Sequence, residues 1–180
     1  MNAWRARLTG LSAMPVLGLT LGLTLGASAQ SSGARVDRIE VLDAGFTEVD
    51  IRRVQGAGGA TGGRQGVTRN VYFLREPPAV TARLGTSFGA DIVALGARRG
   101  ASATLRTAWK VPAPGAIDAK TGNVFREFGS NFTARIGTPT YRGYKFTESW
   151  EVVPGEWTLE IWRDERKLLE RKFVISETGG

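Results

Sequence analysis

From Ala103 to Val111 the chain alternates strictly: Ala103, Leu105, Thr107, Trp109 and Val111 fall on one side, and Thr104, Arg106, Ala108 and Lys110 on the other. A period of two residues gives one buried face and one wet face in an extended strand, and it cannot form an amphipathic helix. The pattern recurs at Trp157, Leu159 and Ile161 against Thr158, Glu160 and Trp162. No stretch after residue 30 keeps a helical period over ten residues or more. Breakers cut the alternation into short pieces: Pro77-Pro78, Gly85, Pro112 with Pro114, the Asp118 to Asn123 turn, Pro154-Gly155, and the Arg163 to Arg166 hairpin. Seven to eight short strands with such turns predict an all-β fold, an antiparallel Ig-like or fibronectin-III-like β-sandwich.

The strands are expected at Val36 to Asp43, Val71 to Leu74, Val80 to Leu84, Phe88 to Leu95, Ala103 to Val111, Phe125 to Ile136, Tyr141 to Phe146, Trp157 to Trp162 and Leu168 to Ile175. Val71-Tyr72-Phe73-Leu74 reads as a buried run, and Val80 to Leu84 with Phe88 to Leu95 as a strand bent or broken at Gly85. Leu105, Trp109, Trp157, Leu159, Phe173 and Ile175 are the expected core, with Leu169 also inward. The Gly-rich stretch 56–66 is expected to be a flexible loop between strands. The domain is expected to span residues 36–176, preceded by a polar lead at 30–35 and followed by a disordered tail at 177–180.

The first 29 residues read differently. Arg5 and Arg7 precede an uncharged apolar run from Leu11 to Leu25, and Ala27-Ser28-Ala29 offers small residues at a cleavage position. That order is expected of a secretory signal peptide cut after Ala29, leaving Gln30 first. The run of 15 residues is short of the roughly 20 that span a bilayer. The expected location is periplasmic or secreted, with no membrane span in the mature form. Loss of Arg5 and Arg7 lowers the formal charge from +7 to +5. The remaining charges are scattered rather than blocked, so nucleic acid is not an expected partner. With no Cys, an exported domain of about 150 residues is held by core burial alone.

The chemistry available is narrow. The chain has neither His nor Cys, which removes the usual Ser-His and Cys-His nucleophiles and the nitrogen and sulfur ligands of zinc. None of the lysines after residue 29 stands in Ser-x-x-Lys spacing. Asp37, Asp43, Glu48 and Asp50 lack the spacing of a calcium loop. Gly58 to Gly63 has half of a P-loop, but Arg64-Gln65 replaces the Lys and Ser/Thr that follow. Glu148, Glu151, Glu156 and Glu160 could serve a glycosidase only if two faced each other across a cleft. Asn131-Phe132-Thr133 is a formal glycosylation sequon. No catalytic, metal or cofactor-binding residue is expected. The residues left as tentative ligand contacts are Tyr141, Tyr144, Trp150 and Trp162, aromatics near loops or out of phase with the core.

Three segments carry a resemblance: Leu84 to Gly89; Tyr141 to Glu148 with Trp150 to Ile161; and Leu168 to Phe173. Together they resemble the bacterial family known as domain of unknown function 3859, over about Val36 to Ile175. The resemblance implies a β-sandwich and brings no activity. The expectation is therefore an exported, non-catalytic Ig-like module making protein contacts in the envelope. The alternative is a carbohydrate-binding module that stacks sugar on the four aromatics, and a weaker one is a carboxylate-dependent hydrolase.

Overall fold

A computed structural model describes residues 33–56, 64–74 and 80–177. The expected signal peptide, residues 30–32 of the lead, the middle of the Gly-rich stretch and residues 178–180 of the tail lie outside these described residues. The strands are β1 (Arg38–Gly56), β2 (Arg64–Phe73), β3 (Ser87–Leu95), β4 (Ser102–Lys110), β5 (Ala116–Ile117), β6 (Val124–Phe125), β7 (Glu127–Arg135), β8 (Pro139–Lys145), β9 (Gly155–Arg163) and β10 (Arg166–Ile175). A single 3-10 turn, Ser149–Glu151, is the one helical element among the described residues. No helix there is long and apolar enough to cross a membrane.

Two four-stranded sheets form, in the orders β2-β1-β3-β8 and β10-β9-β4-β7, with β5 and β6 as a small separate hairpin. All the strand pairs are antiparallel. The all-β sandwich expected from the alternation is thus the fold, with eight strands in its two sheets. The inward phase of each strand fills the space between them: Leu105 and Trp109 from β4, Trp157, Leu159 and Ile161 from β9, and Phe173 and Ile175 from β10 are all buried. Phe88 of β3 is the hub. Its ring meets Trp109, Trp157 and Phe173 of the facing sheet at centroid distances of 5.3, 5.7 and 5.4 Å. Offset and edge-on contacts of this kind stabilise beyond the area they bury.

Three local expectations are settled. The chain is broken at Gly85 rather than bent, and Val80 to Leu84 forms no named strand of its own. Ser176 N–H donates to the Val80 carbonyl and Ala82 N–H donates to that of Ser176, so this segment joins the end of β10 through one parallel bridge at Thr81. The chain then turns at Leu84-Gly85 and enters β3. Val71 to Leu74 is not uniformly buried: Tyr72 is 62% and Leu74 43% exposed, because β2 pairs with β1 alone. The Gly-rich stretch is shorter as a loop than expected, since Gly56, Gln55 and Val54 pair with Arg64, Gln65 and Gly66.

Candidate functional site

The four aromatics singled out in the sequence do not form one platform. Tyr144 belongs to the core, with ring centroids 5.0 Å from Trp157, 5.6 Å from Phe128 and 5.9 Å from Phe146. Trp150, carried by the 3-10 turn, packs on Phe125 at 5.5 Å, and Phe125 packs on Phe128 at 5.4 Å. These rings run in a ladder from the end of the sandwich into its centre. Tyr141 lies on the outer face of β8, since its neighbour Arg142 points inward to Thr107 of β4. Its hydroxyl is 2.9 Å from Thr47 Oγ1, which is itself 3.1 Å from Ser87 Oγ. Burial pushes the Tyr141 pKa up.

Trp162 stands on the outer face of the other sheet, opposite Arg106 of β4 and Lys167 of β10. The Arg106 guanidinium and the Lys167 ammonium lie 5.4 and 5.6 Å from its ring centroid, close enough for cation–π attraction. Its indole N–H donates to Glu160 Oε2 at 2.9 Å. Lys167 Nζ reaches Glu160 Oε1 at 3.1 Å and also pairs with Glu170. The ring is therefore engaged by cations from both neighbouring strands. Beside it is a cleft of about 390 Å³ lined by Thr104, Arg106, Asn131 and Arg163. A second cleft, of about 560 Å³, lies against Arg35, Arg163 and Arg166. Arg163 donates to the carbonyls of Gly33 and Ala34, and Arg166 to that of Asp37, so these arginines hold the incoming segment against the β9–β10 hairpin.

The candidate carboxylates are dispersed in structural roles. Glu151 is buried and accepts from Thr147 N–H at 2.6 Å, Thr147 Oγ1 at 3.1 Å and Glu148 N–H at 3.1 Å. Glu156 pairs with Lys172 at 2.8 Å. Asp37 pairs with Arg35, and Asp43 accepts from the Ala44 N–H. Among the described residues no three His, Cys, Asp or Glu side chains come together as metal ligands would. Asp43 sits directly opposite Asp91 in the β1–β3 register. Burial, and then the Asp43 charge, raise the Asp91 pKa.

Two features escaped the sequence reading. The first is the orientation of Arg142, expected beside exposed rings but pointing inward from the edge strand β8. Its Nε donates to Thr107 Oγ1 at 3.0 Å and its guanidinium lies 4.3 Å over the Phe132 ring. Burial depresses its pKa to about 10. An inward charge on an edge strand opposes edge-to-edge association. Its position in phase with Tyr144 was the available signal.

The second feature is the length of β1. Its first half, Arg38–Phe46, pairs with β3, and its second half, Thr47–Gly56, pairs with β2. Beyond Thr47 the two strands form a ribbon that no third strand flanks among the described residues. Near its base Tyr72 and Leu74 are exposed. Charge or proline marks the other edges. β10 carries Arg166, Lys167, Glu170, Arg171 and Lys172, β7 carries Glu127 and Arg135, and β8 starts with Pro139 and holds Arg142. Charge and proline are the ordinary protections of an edge strand.

The family model for the domain of unknown function DUF3859 matches residues 49–175. The chain belongs to this family. The match begins inside β1, at the ribbon, and runs to the last residue of β10. An immunoglobulin-like protein from Pseudomonas aeruginosa is similar in structure, at 24% identity and a TM-score of 0.48, over 82% of this chain and 98% of that one. No curated protein matches the chain. The DUF3859 match sets boundaries within the chain, and its description gives no function.

Proposed function

We propose that this DUF3859 chain is an exported, non-catalytic Ig-like module, periplasmic or secreted, that works through protein–protein contact at the β1–β2 ribbon. The observation that carries the reading is the ribbon itself. A two-stranded hairpin is marginally stable alone in water and gains from a third strand. Its edges present backbone donors and acceptors that a partner can pair with by strand addition. The exposed Tyr72 and Leu74 at its base add apolar area. Export follows from the basic, apolar and small-residue order of residues 1–29. The carbohydrate reading has less support, since Tyr144 and Trp150 are stacked inside a ring ladder and Trp162 is flanked by Arg106 and Lys167.

The test is site-specific photo-cross-linking in cells, with a photoreactive phenylalanine at Val54 or Tyr72 of the ribbon and at Ile117 of β5 as control. Ile117 is also an exposed apolar residue, but lies away from the ribbon. Adducts are expected from the ribbon positions and not from Ile117. Ribbon positions that give no adduct would refute the reading.

A further inference from the structure

We infer that the occupant of the ribbon's open edge is a second copy of this chain, paired β1 to β1, antiparallel, about a two-fold axis near Ile51. The inference rests on the proposed role of the ribbon as a contact surface. Its starting point is the hand-over within β1. β3 uses one edge of the strand only as far as Phe46, so the same edge from Thr47 to Gly56 has no strand beside it among the described residues. That is ten residues, roughly 33 Å of strand.

The order of charge along this stretch selects the partner. Glu48 and Asp50 come first, then Arg52 and Arg53, with Ile51 between them. A second copy laid antiparallel across Ile51 sets Asp50 of each chain directly opposite Arg52 of the other, with Glu48 on the diagonal to the same arginine and Arg53 opposite Val49. Opposite charges at facing positions of an antiparallel pair stabilise it, and like charges destabilise it. A parallel copy would instead set acid against acid. The far edge of the ribbon does not suit self-pairing, because β2 carries Arg64 and Arg69 and no acid. A two-fold arrangement also closes on itself, consuming both open edges in one dimer rather than propagating a filament. The resulting central sheet has the order β2-β1-β1-β2.

The chain contains no cysteine, so a single introduced thiol is a clean reporter. The full chain is expressed with its own leader in a bacterial host, and its exported product is purified and oxidised. Ile51→Cys is expected to give a disulfide-linked dimer, because a disulfide requires Cα atoms within about 7 Å. Thr68→Cys on β2 is expected to remain monomeric under the same oxidant. By sedimentation equilibrium the unmodified protein is expected to dimerise at micromolar concentration. Glu48→Arg with Asp50→Arg, or Arg52→Glu with Arg53→Glu, should weaken the dimer at least tenfold. An equimolar mixture of the two charge variants should restore it.

A monomer at every accessible concentration, or dimers indifferent to both charge reversals, would overturn the inference. Its failure is separable from that of the broader reading by the mass of the photo-adducts. Adducts of twice the chain mass accord with the second copy. Adducts with a different protein would leave the ribbon as a contact surface and remove the self-pairing.

Discussion

The ring of Tyr141 folds back over Gly143 so closely that a Cβ at Gly143 would stand 2.0 Å from the tyrosine hydroxyl oxygen. The space is needed because Tyr141 reaches across β3 to place that hydroxyl against Thr47 on β1. Gly89, directly opposite Gly143 on β3, is also closely covered, but there a Cβ would meet backbone, the Arg142 carbonyl and the Gly143 Cα, both at 2.5 Å. Gly143→Ala is therefore expected to destabilise the fold by about 1–3 kcal/mol, the ordinary range for overpacking. In a Tyr141→Ala background the increment should fall below about 0.5 kcal/mol, since all three nearest obstacles belong to Tyr141. Gly89→Ala should remain costly in both backgrounds. Urea unfolding of the four combinations at each glycine measures this, and equal increments with and without Tyr141 would contradict it.

The hub position of Phe88 gives a second expectation. Phe88 is fully buried and touches rings on both sheets, including Phe46, Phe146 and Phe173. Phe88→Ala removes the common neighbour of these side chains and leaves a void they cannot all fill. A loss of about 3–5 kcal/mol is expected from the transfer and cavity costs together. Phe88→Leu should cost clearly less, since it keeps most of the volume. The check is the midpoint of thermal or urea unfolding. Equal losses for the two variants would mean that retained volume does not help and that the ring contacts themselves are what the site requires.

How much of this was legible in the chain varies with the kind of interaction. The core of β4 and β9 was visible in Leu105, Trp109, Trp157 and Leu159 because simple alternation assigns each to the inner face, where all four are buried. β8 was obscured by Arg142. A charged residue in the inward phase hides the pattern, so Tyr144 read as a surface ring although it packs on Trp157 and Phe128. Val80 to Leu84 looked like a strand because its composition suits one, yet its pairing depends on Ser176, nearly a hundred residues away in the chain. The ribbon was hidden for another reason. Its strands mix apolar, charged and polar residues without a clean alternation, and the register slips on both sides of Ile51. Of the tentative ligand residues, the sequence supplied rings but not their occupancy: only the register shows that Trp162 faces Arg106 and Lys167.

The last expectation concerns pH and Glu151. Its carboxylate is 1% exposed and ties the loop after β8 together, accepting two N–H groups and the Thr147 hydroxyl. Burial disfavours the charged form, and these hydrogen bonds only partly offset that, so its pKa is raised above the ordinary 4.5. The folded chain therefore holds this proton at pH values where the unfolded chain has released it. By linkage, the favourable contribution of the raised pKa is fully present below about pH 4.5 and is lost as pH rises through the folded-state value. Glu151→Gln removes the titration and keeps the side-chain volume. Part of the donor–acceptor match is lost, since the amide cannot accept as a carboxylate does, and a cost of about 1–3 kcal/mol is expected at neutral pH. The difference in unfolding free energy between wild type and Glu151→Gln should change with pH in the window above 4.5, shifting in favour of wild type as the pH falls. Paired urea titrations from pH 4 to pH 8 read that slope. A difference independent of pH would show that the carboxyl titrates alike in the folded and unfolded chains, and that burial does not govern its charge.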